Sequence, residues 1–524
     1  MRSLFSMLKD LTVRPKERRT RATPPLPAEE DWSKPLSAQK VRSLLNKSSD
    51  IIFREFTLRG KEEVTCLLVY VDGLTDKYII DHYLLKILMV DFNGEPQLSR
   101  VTADNALDTV FKFLAPASEA KKIKELGEAL DSILGGDAVL FFGEYPQAMV
   151  IGVRNWPNRG VWEPETEAVV RGPREGFTET LRTNTTLLRR KIKHPAFRLI
   201  SLKIGELTRT DVVVAYIETL AKPDVVSEVL KRLSRIKVDG VLESAYIEEM
   251  IEDYPYSPFP QIAYTERPDV LAADLLEGKV GIIVDGTPIA LTVPVVLAQF
   301  LQVSEDYYER AMIVILIRFI RYLGVAVALL APSIYIAVTT FHQEILPSNL
   351  ALSIAAGREG VPFSALSEAM MMTLALEILM EAGLRLPKPI GQTIGIVGAL
   401  VLGDAAVKAS LVSPLMVIII GLTAISGYAI PSYDLGIAVR LIRLPMMILA
   451  GTMGFFGLGL GVYALLIHLL SLRSFGYPYM SPLAPLRLRA LLQDTFVRTP
   501  RWGLKHRPHL LDADTDRKKP GGKR

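Results

Sequence analysis

The sequence predicts a cytoplasmic α/β region of two related subdomains followed by an α-helical integral membrane domain. Three observations carry that fold class. Up to Gly278 charged and apolar residues are mixed as in soluble domains, whereas from Thr287 to Leu472 long apolar runs dominate. A strand-and-helix plan beginning at Ile51 recurs at an offset of 146 residues: Ile51 aligns with Phe197, Phe56 with Leu202, Tyr70 with Tyr216, Val71 with Ile217, Asp72 with Glu218 and Leu74 with Leu220. Ala409 to Tyr433 is 25 residues without a charge. That is enough to cross a hydrocarbon layer about 30 Å thick as a helix rising roughly 1.5 Å per residue.

Of the 524 residues 49% are hydrophobic and 23% charged, and the formal net charge of +4 conceals a polarity. Arg473 to Arg524 carries 12 Lys/Arg against 4 Asp/Glu, or +8, so the remaining 472 residues sum to −4. A basic tail directly after the last apolar run is what the positive-inside rule expects of a cytoplasmic end. The lone cysteine, Cys66, sits in VTCLLVYV and reads as a small buried hydrophobe, so no internal disulfide can form. The N-terminus MRSLFSMLKDLTVRPKERR lacks the apolar core and small-residue cleavage site of a secretory signal. Roughly the first 280 residues are expected to stay in the cytoplasm.

Residues 1–35, basic and then proline-rich, cannot bury enough apolar surface to order themselves. They read as a tail, either solvated or resting on anionic lipid through Arg14 to Arg21. Residues 36–165 are the first predicted subdomain. Its IIFREFTL from Ile51 and VTCLLVYV from Val64 read as strands, Asp72-Gly73 as a turn, Asp76 to Met89 as a helix and AVLFFG from Ala138 as a buried strand. Residues 166–286 repeat the plan with the helix PDVVSEVLKRL and the late strand KVGIIVDG from Lys279. Before that repeat, REGFTETLRTNTTLLRRKIKHP starts acidic and ends in Arg189, Arg190, Lys191 and Lys193, a polarity that suits the helix dipole. No aromatics interleave with these charges and no nucleic-acid fold signature accompanies them. The segment therefore reads as a solvated or partner-facing helix, and no nucleic acid is expected.

Residues 287–472 are the predicted helical membrane domain, about four spans plus interfacial helices, and 473–524 the basic cytoplasmic tail. Pro288 and Pro294 break the uncharged run Gly286 to Ser304, favouring an interfacial helix or a strand-to-helix transition over a span. Ser304 is the expected N-cap of the first long apolar helix. Arg318 and Arg321 precede the 20 uncharged residues Tyr322 to Phe341 and mark the cytoplasmic shoulder of a first span. His342 to Val361 reads as a polar connection, and Pro362 as the opener of FSALSEAMMMTLALEILMEAGLRLP. On that helix Glu377, Glu381 and Arg385 share a face and Glu368 lies nearly opposite. Such a helix either lies on the membrane surface or turns its acidic stripe to a water-filled path, which makes Glu377 and Glu381 the ion-path candidates. Arg385 offers Glu381 a local salt bridge.

Pro389 to Gly403 has 15 uncharged residues, too few for a secure span. Its Gly391, Gly395 and Gly398 fall at i, i+4 and i+7, a face another backbone can approach, although glycine is also common in membrane helices. Arg440 and Arg443 read as an interfacial pair. The last run, Leu444 to Leu472, spans 29 residues with no Asp, Glu, Lys or Arg and carries GxxxG at Gly457 and Gly461, the mark of a close-packed span. The glycine faces suggest self-association. Both chain ends are expected on the cytoplasmic side.

The resemblance to a known family becomes specific in LPKPIGQTIGIVGALVLGDAAVKASLVSPLMVI from Leu386, followed by YAIPSYDLG from Tyr428. It extends to RGPREGFTETLRTNTTLLRRKIKHP from Arg171, VDGTPIALTVP from Val284, SEDYYER from Ser304 and LAPSIYIAVTTFHQEILPSNLALSIAAGREGVPF from Leu330. On these stretches the chain resembles, from about Val41 to Leu486, the A subunit of GerA-type nutrient germinant receptors of bacterial spores. The resemblance implies a homo-oligomeric ring in the inner spore membrane that encloses a path for monovalent cations. It also implies two partners, a transporter-like B subunit that recognises the nutrient and a lipoprotein C subunit.

Chemistry is otherwise sparse. There is no GxxxxGK[ST] phosphate loop, HExxH, paired CxxC or GxSxG elbow, and the six histidines show no metal-ligand spacing. No catalytic, cofactor or metal residues are expected, and the chain is not expected to be an enzyme. A secondary transporter with a cytoplasmic regulatory domain is the competing class, and the inverted repeat it would carry is not found.

Overall fold

The structure, a computed structural model, describes residues 35–59, 61–89, 101–102, 105–114, 120–143, 145–155, 163–164, 166–385 and 401–500. Apart from Pro35, the expected N-terminal tail lies outside the described residues.

Alternating β-branched and aromatic residues fold Ile51–Arg59 (β1) and Glu63–Val71 (β2) into a hairpin whose register runs from Ile51 opposite Val71 to Arg59 opposite Glu63. Ala120–Ile123 (β3), Ala138–Phe142 (β4) and Ala148–Ile151 (β5) complete an antiparallel sheet of order β1-β2-β4-β5-β3. Phe197–Ile204 (β6), Thr210–Ile217 (β7), Ala263–Thr265 (β8), Val280–Val284 (β9) and Ala290–Val293 (β10) form a second sheet of the corresponding order, β6-β7-β9-β10-β8. The registers correspond as well. Phe197 faces Ile217 as Ile51 faces Val71, an offset of 146, and Val280 faces Val293 as Ala138 faces Ile151, an offset of 142. The connection between the second and third strands of the ladder is four residues shorter in the second unit. All these pairings are antiparallel, so the helices between strands join hairpins instead of building a parallel sheet.

Each sheet is covered on both faces. Ala38–Leu45 (α1) and Leu126–Leu134 (α3) cover one face of the first sheet, and Ala106–Leu114 (α2) with the turns over Ile79–Leu85 and Lys86–Met89 covers the other. Leu181–Lys191 (α4) and Pro268–Leu276 (α7) cover one face of the second sheet, and Pro223–Arg235 (α5) and Ser244–Ile251 (α6) the other. Double coverage explains why β4 and β9 are apolar and buried at every position. Each such Val, Leu, Ile or Phe contributes about 1.5–3 kcal/mol. Cys66 is fully buried on β2, and burial pushes its thiol up to about 12.

The two units meet at α4, whose residues Asn184 to Arg189 are all buried. Arg189 donates from Nε and Nη2 to the two Asp50 oxygens at 2.8 Å each, and further to Ser48 Oγ and the Phe197 carbonyl. The helix expected to be solvated or partner-facing thus faces the first unit of its own chain, because a planar guanidinium can hold a carboxylate bidentately.

The uncharged run from Gly286 starts inside the second sheet, as β10, and then passes through tight turns at Leu297–Leu301 and Ser304–Tyr307. The helix Ala311–Phe341 (α8) starts later, with Arg310 at its N-cap position in place of the expected Ser304. Ser348–Arg358 (α9) is helical where a polar connection was expected, and Ala365–Arg385 (α10) follows. The 25-residue uncharged run is not one helix. Within it Pro414–Tyr428 (α11) has 15 residues, about 22 Å, opened by Ser413 and Pro414 and ended before Pro431.

Among the described residues two helices are long and apolar enough to cross a membrane, α8 and Tyr433–Ser471 (α12). The second folds back on itself. Gly454 has φ 60° and ψ −141°, and a Cβ at Gly461 would press on Met446 and Leu449. Leu435 and Leu469, from opposite ends of α12, share one cluster with Phe259 and Val295. Residues 433–453 and 455–471 are therefore the two arms of a helical hairpin.

After the hairpin the chain returns to the second sheet. Ser474 Oγ donates to the Gln261 carbonyl and accepts from Val295 N, Phe475 joins the core of the second unit, and the Arg232 guanidinium lies 4.3 Å from the Phe475 ring centroid. The region expected as a basic tail is thus built into the fold up to residue 500, while 501–524 lie outside the described residues.

Candidate functional site

Three charged groupings stand in or beside the helical region, and each pairs residues far apart in sequence. The first is at the start of α8. Arg318, completely buried, donates from Nε to Asp306 Oδ2 at 3.0 Å and from Nη1 to the Asp494 carbonyl at 2.7 Å and its Oδ1 at 3.2 Å. Arg321 reaches the same Asp306 oxygen at 2.8 Å, and the Tyr307 hydroxyl donates to Asp494 Oδ2 at 2.9 Å. Burial pushes Asp494 up despite the Arg318 charge, and burial with Asp494 beside it raises Tyr307. The expected shoulder residues are therefore a clamp that ties the C-terminal segment to the first long helix.

The second grouping lies among the helices. Glu377 on α10 accepts from Arg440 Nη1 and Arg443 Nη2, both at 3.1 Å, from the first arm of the hairpin. Arg443 is 3% exposed. Two guanidiniums on one carboxylate leave the grouping at +1, so Glu377 is covered by cations from another helix. Glu381, one turn on, is exposed. The side chain of Arg385 lies outside the described residues. Across α10, Glu368 is fully buried and accepts from Ser413 N and, at 2.6 Å, from Ser413 Oγ. A carboxylate at the N-terminus of α11 complements the helix dipole. Spacing set Glu368 opposite Glu377, but nothing local in the sequence points to Ser413.

No motif in the sequence marks the third grouping. Burial, with Asp434, Glu252 and Glu243 nearby, pushes Glu248 of α6 up to about 8. Glu252 rises to about 6, again chiefly through burial. Asp434 opens the hairpin, and at the hairpin's other end Ser257 Oγ lies 3.0 Å from His468 Nε2. Acids thus concentrate where the second unit meets the start of α12, and a serine–histidine contact joins the unit to its other end.

The glycine faces divide. At Gly457 a Cβ would overlap the Leu449 carbonyl, and at Gly461 it would meet Met446 Sδ at 2.6 Å. These two glycines serve contact between the hairpin's own arms, so the GxxxG face is already occupied within the chain. Gly391, Gly395 and Gly398 lie outside the described residues. Gly421, on α11, has no described residue within 4 Å of its Cβ position.

Doubled antiparallel sheets, a helical region whose two ends return to the second sheet, and paired charges among its helices define a two-part protein of mixed α/β and helical structure. Comparison with known proteins gives the family: residues 39–510 match the family described as Bacillus/Clostridium GerA spore germination protein, and the chain belongs to it. The chain is 44% identical over 503 residues to an uncharacterized membrane protein, YfkQ, of Bacillus subtilis strain 168, covering 95% of each chain. It is 41% identical to spore germination protein KA of the same organism, over 91% of this chain and 86% of that one. It is 40% identical to spore germination protein GerLA of Bacillus cereus, over 91% and 95%. Among solved structures it is similar to the N-terminal domain of the A subunit of the Bacillus megaterium spore germinant receptor GerK3. That likeness is 34% identical, covers 49% of this chain and 92% of that one, and has a TM-score of 0.39.

Proposed function

We propose that this chain is the A subunit of a spore nutrient germinant receptor. In this reading it oligomerises in the inner spore membrane around a germinant-gated path for monovalent cations, with a transporter-like B subunit and a lipoprotein C subunit as partners. The observation that carries the reading is the family match over residues 39–510, which takes in both sheets and the helical region. The hairpin adds support. Because α8 leaves the second sheet and the second arm of α12 returns to it, a bilayer around the helices would leave residues 36–286 and 473–500 on one side, which we assign to the cytoplasm.

Within that path Glu377 and Glu381 remain the acidic candidates. Glu377 is held by Arg440 and Arg443, so lining a cation path requires it to part from them, and the latch becomes the natural closed state. A carboxylate released at membrane depth persists only where water or a cation meets it. The test is potassium release from spores on nutrient addition. Glu377→Gln and Glu381→Gln are each expected to slow release by about an order of magnitude while the chain still assembles. Unchanged release and ion selectivity in both variants, with normal assembly, would remove these residues from the path.

A further inference from the structure

A cavity of about 670 Å³ lies at the seam between the second sheet and the helical region. Its walls come from β8 and α7, from the turns that lead into α8, from Pro431–Tyr433 ahead of the hairpin, and from the segment around Asp494. The volume falls within the 300–1,000 Å³ usual for small-molecule sites. Tyr264, Phe300, Tyr307, Tyr308 and Tyr433 line it, with small residues such as Ala273 and Ala298 leaving the room between them.

The charges on the wall are lopsided. The two cations among the described wall residues already each pair with a carboxylate, Arg267 with Asp269 at 3.0 Å and Lys279 with Asp274 at 2.6 Å, so neither charge is left uncompensated for an anion. Among the described residues no cation pairs directly with the Glu167 carboxylate, which feels the Arg267 charge only through space. Its Oε2 accepts from Thr265 Oγ1 at 2.6 Å and Glu266 N at 3.1 Å, while Arg267 Nη1 goes to the Glu167 backbone carbonyl. Burial raises its carboxyl above the ordinary range. Three further polar atoms of wall residues, Arg267 Nε, Asp269 Oδ1 and Gln299 Oε1, find no hydrogen-bond partner among the described residues.

We propose that this cavity binds a small organic cation, an amine carried on an apolar or aromatic body, with Glu167 as its counter-charge. Aromatic faces attract a cation and bury its hydrocarbon, whereas an anionic ligand would meet carboxylates without a free cation. Because Tyr307, Asp494 and Tyr433 belong to the walls, a bound amine braces the starts of both α8 and α12. The inference rests on the cavity and not on the receptor reading, so its test is binding alone.

Full-length chain in nanodiscs would be titrated with phenethylamine, 2-phenylethanol and phenylacetate, with saturation-transfer NMR and thermal shift as readouts. Phenethylamine should bind saturably and at least about tenfold more tightly than the alcohol, and phenylacetate should not compete. Ala273→Trp fills the space and should abolish the saturable signal over that of the same nanodiscs. Glu167→Gln keeps the volume, guards against misfolding of the first variant, and should bring amine and alcohol to within about threefold. Equal affinity for amine and alcohol in the unaltered chain, preference for the acid, amine binding untouched by either variant, or no saturable amine binding up to about 10 mM overturns the proposal.

Discussion

The two sheets share strand order and register, yet they are attached differently. The first unit is bound to the second through Asp50 with Arg189 and through the Leu44 carbonyl with Arg198. The second unit receives those contacts and also holds the helical region, through Phe475 in its core, Val295 and Phe259 beside the hairpin, and the cavity at the seam. A repeated fold has thus taken two positions in series, one outer and one adjoining the helices. Register is dictated by which face of each strand is apolar, so it survives repetition, whereas attachment depends on single charged residues and diverges.

The largest expected effect comes from cutting the second attachment. Arg318→Ala leaves the buried Asp494 without its ion-pair partner and Asp306 with Arg321 alone, a change that costs about 3–5 kcal/mol. The detergent-solubilised chain should melt well below the unaltered protein, and limited proteolysis should release the segment beyond residue 472 while both sheets stay resistant. Simultaneous loss of the sheets would mean that the seam is not a separable attachment. Arg189→Ala cuts the first attachment and strands only Asp50, so about 3 kcal/mol is expected. Here proteolysis should fall between the two sheets, with the helical region unaffected.

How much of this was legible follows from the range of each interaction. The repeat could be read because β-branched alternation is local, and both copies carry it. Arg318 and Arg321 were visible as a pair before an apolar run, but their acceptor Asp494 lies 176 residues beyond Arg318. Glu377 stood out on its helix, and the arginines that cover it are 63 and 66 residues away. The hairpin was hidden altogether, since Leu444 to Leu472 offers no charge or turn motif around Gly454 to announce it, and Gly454 is one glycine among several. For the same reason GxxxG told that a backbone comes close without telling that it is the chain's own.

That last distinction gives a smaller, sharper test. Gly457→Leu drives a side chain into the Leu449 carbonyl between the arms and should cost about 1–3 kcal/mol, whereas Gly421→Leu meets no described residue within 4 Å and should cost less. The loss should appear as a lower melting temperature at any protein concentration. A loss that appears only in cross-linking between chains would return the glycine face to an interface between copies.

A last test concerns pH and the acidic seam between the second unit and the hairpin. Glu248 faces Asp434 from the hairpin and Glu252 and Glu243 from its own unit, with the Tyr264 hydroxyl nearby. A carboxyl whose folded value is raised to about 8 holds its proton more tightly folded than unfolded. Stability is then greatest below the ordinary carboxyl range and is lost as pH climbs from there through about 8, with Glu252 contributing the lower part of the window, up to about 6. Melting of the full chain should therefore fall between roughly pH 5 and pH 8, and Glu248→Gln should flatten most of that slope. A slope that survives Glu248→Gln would trace the pH dependence elsewhere and leave the acidic seam without a part in stability.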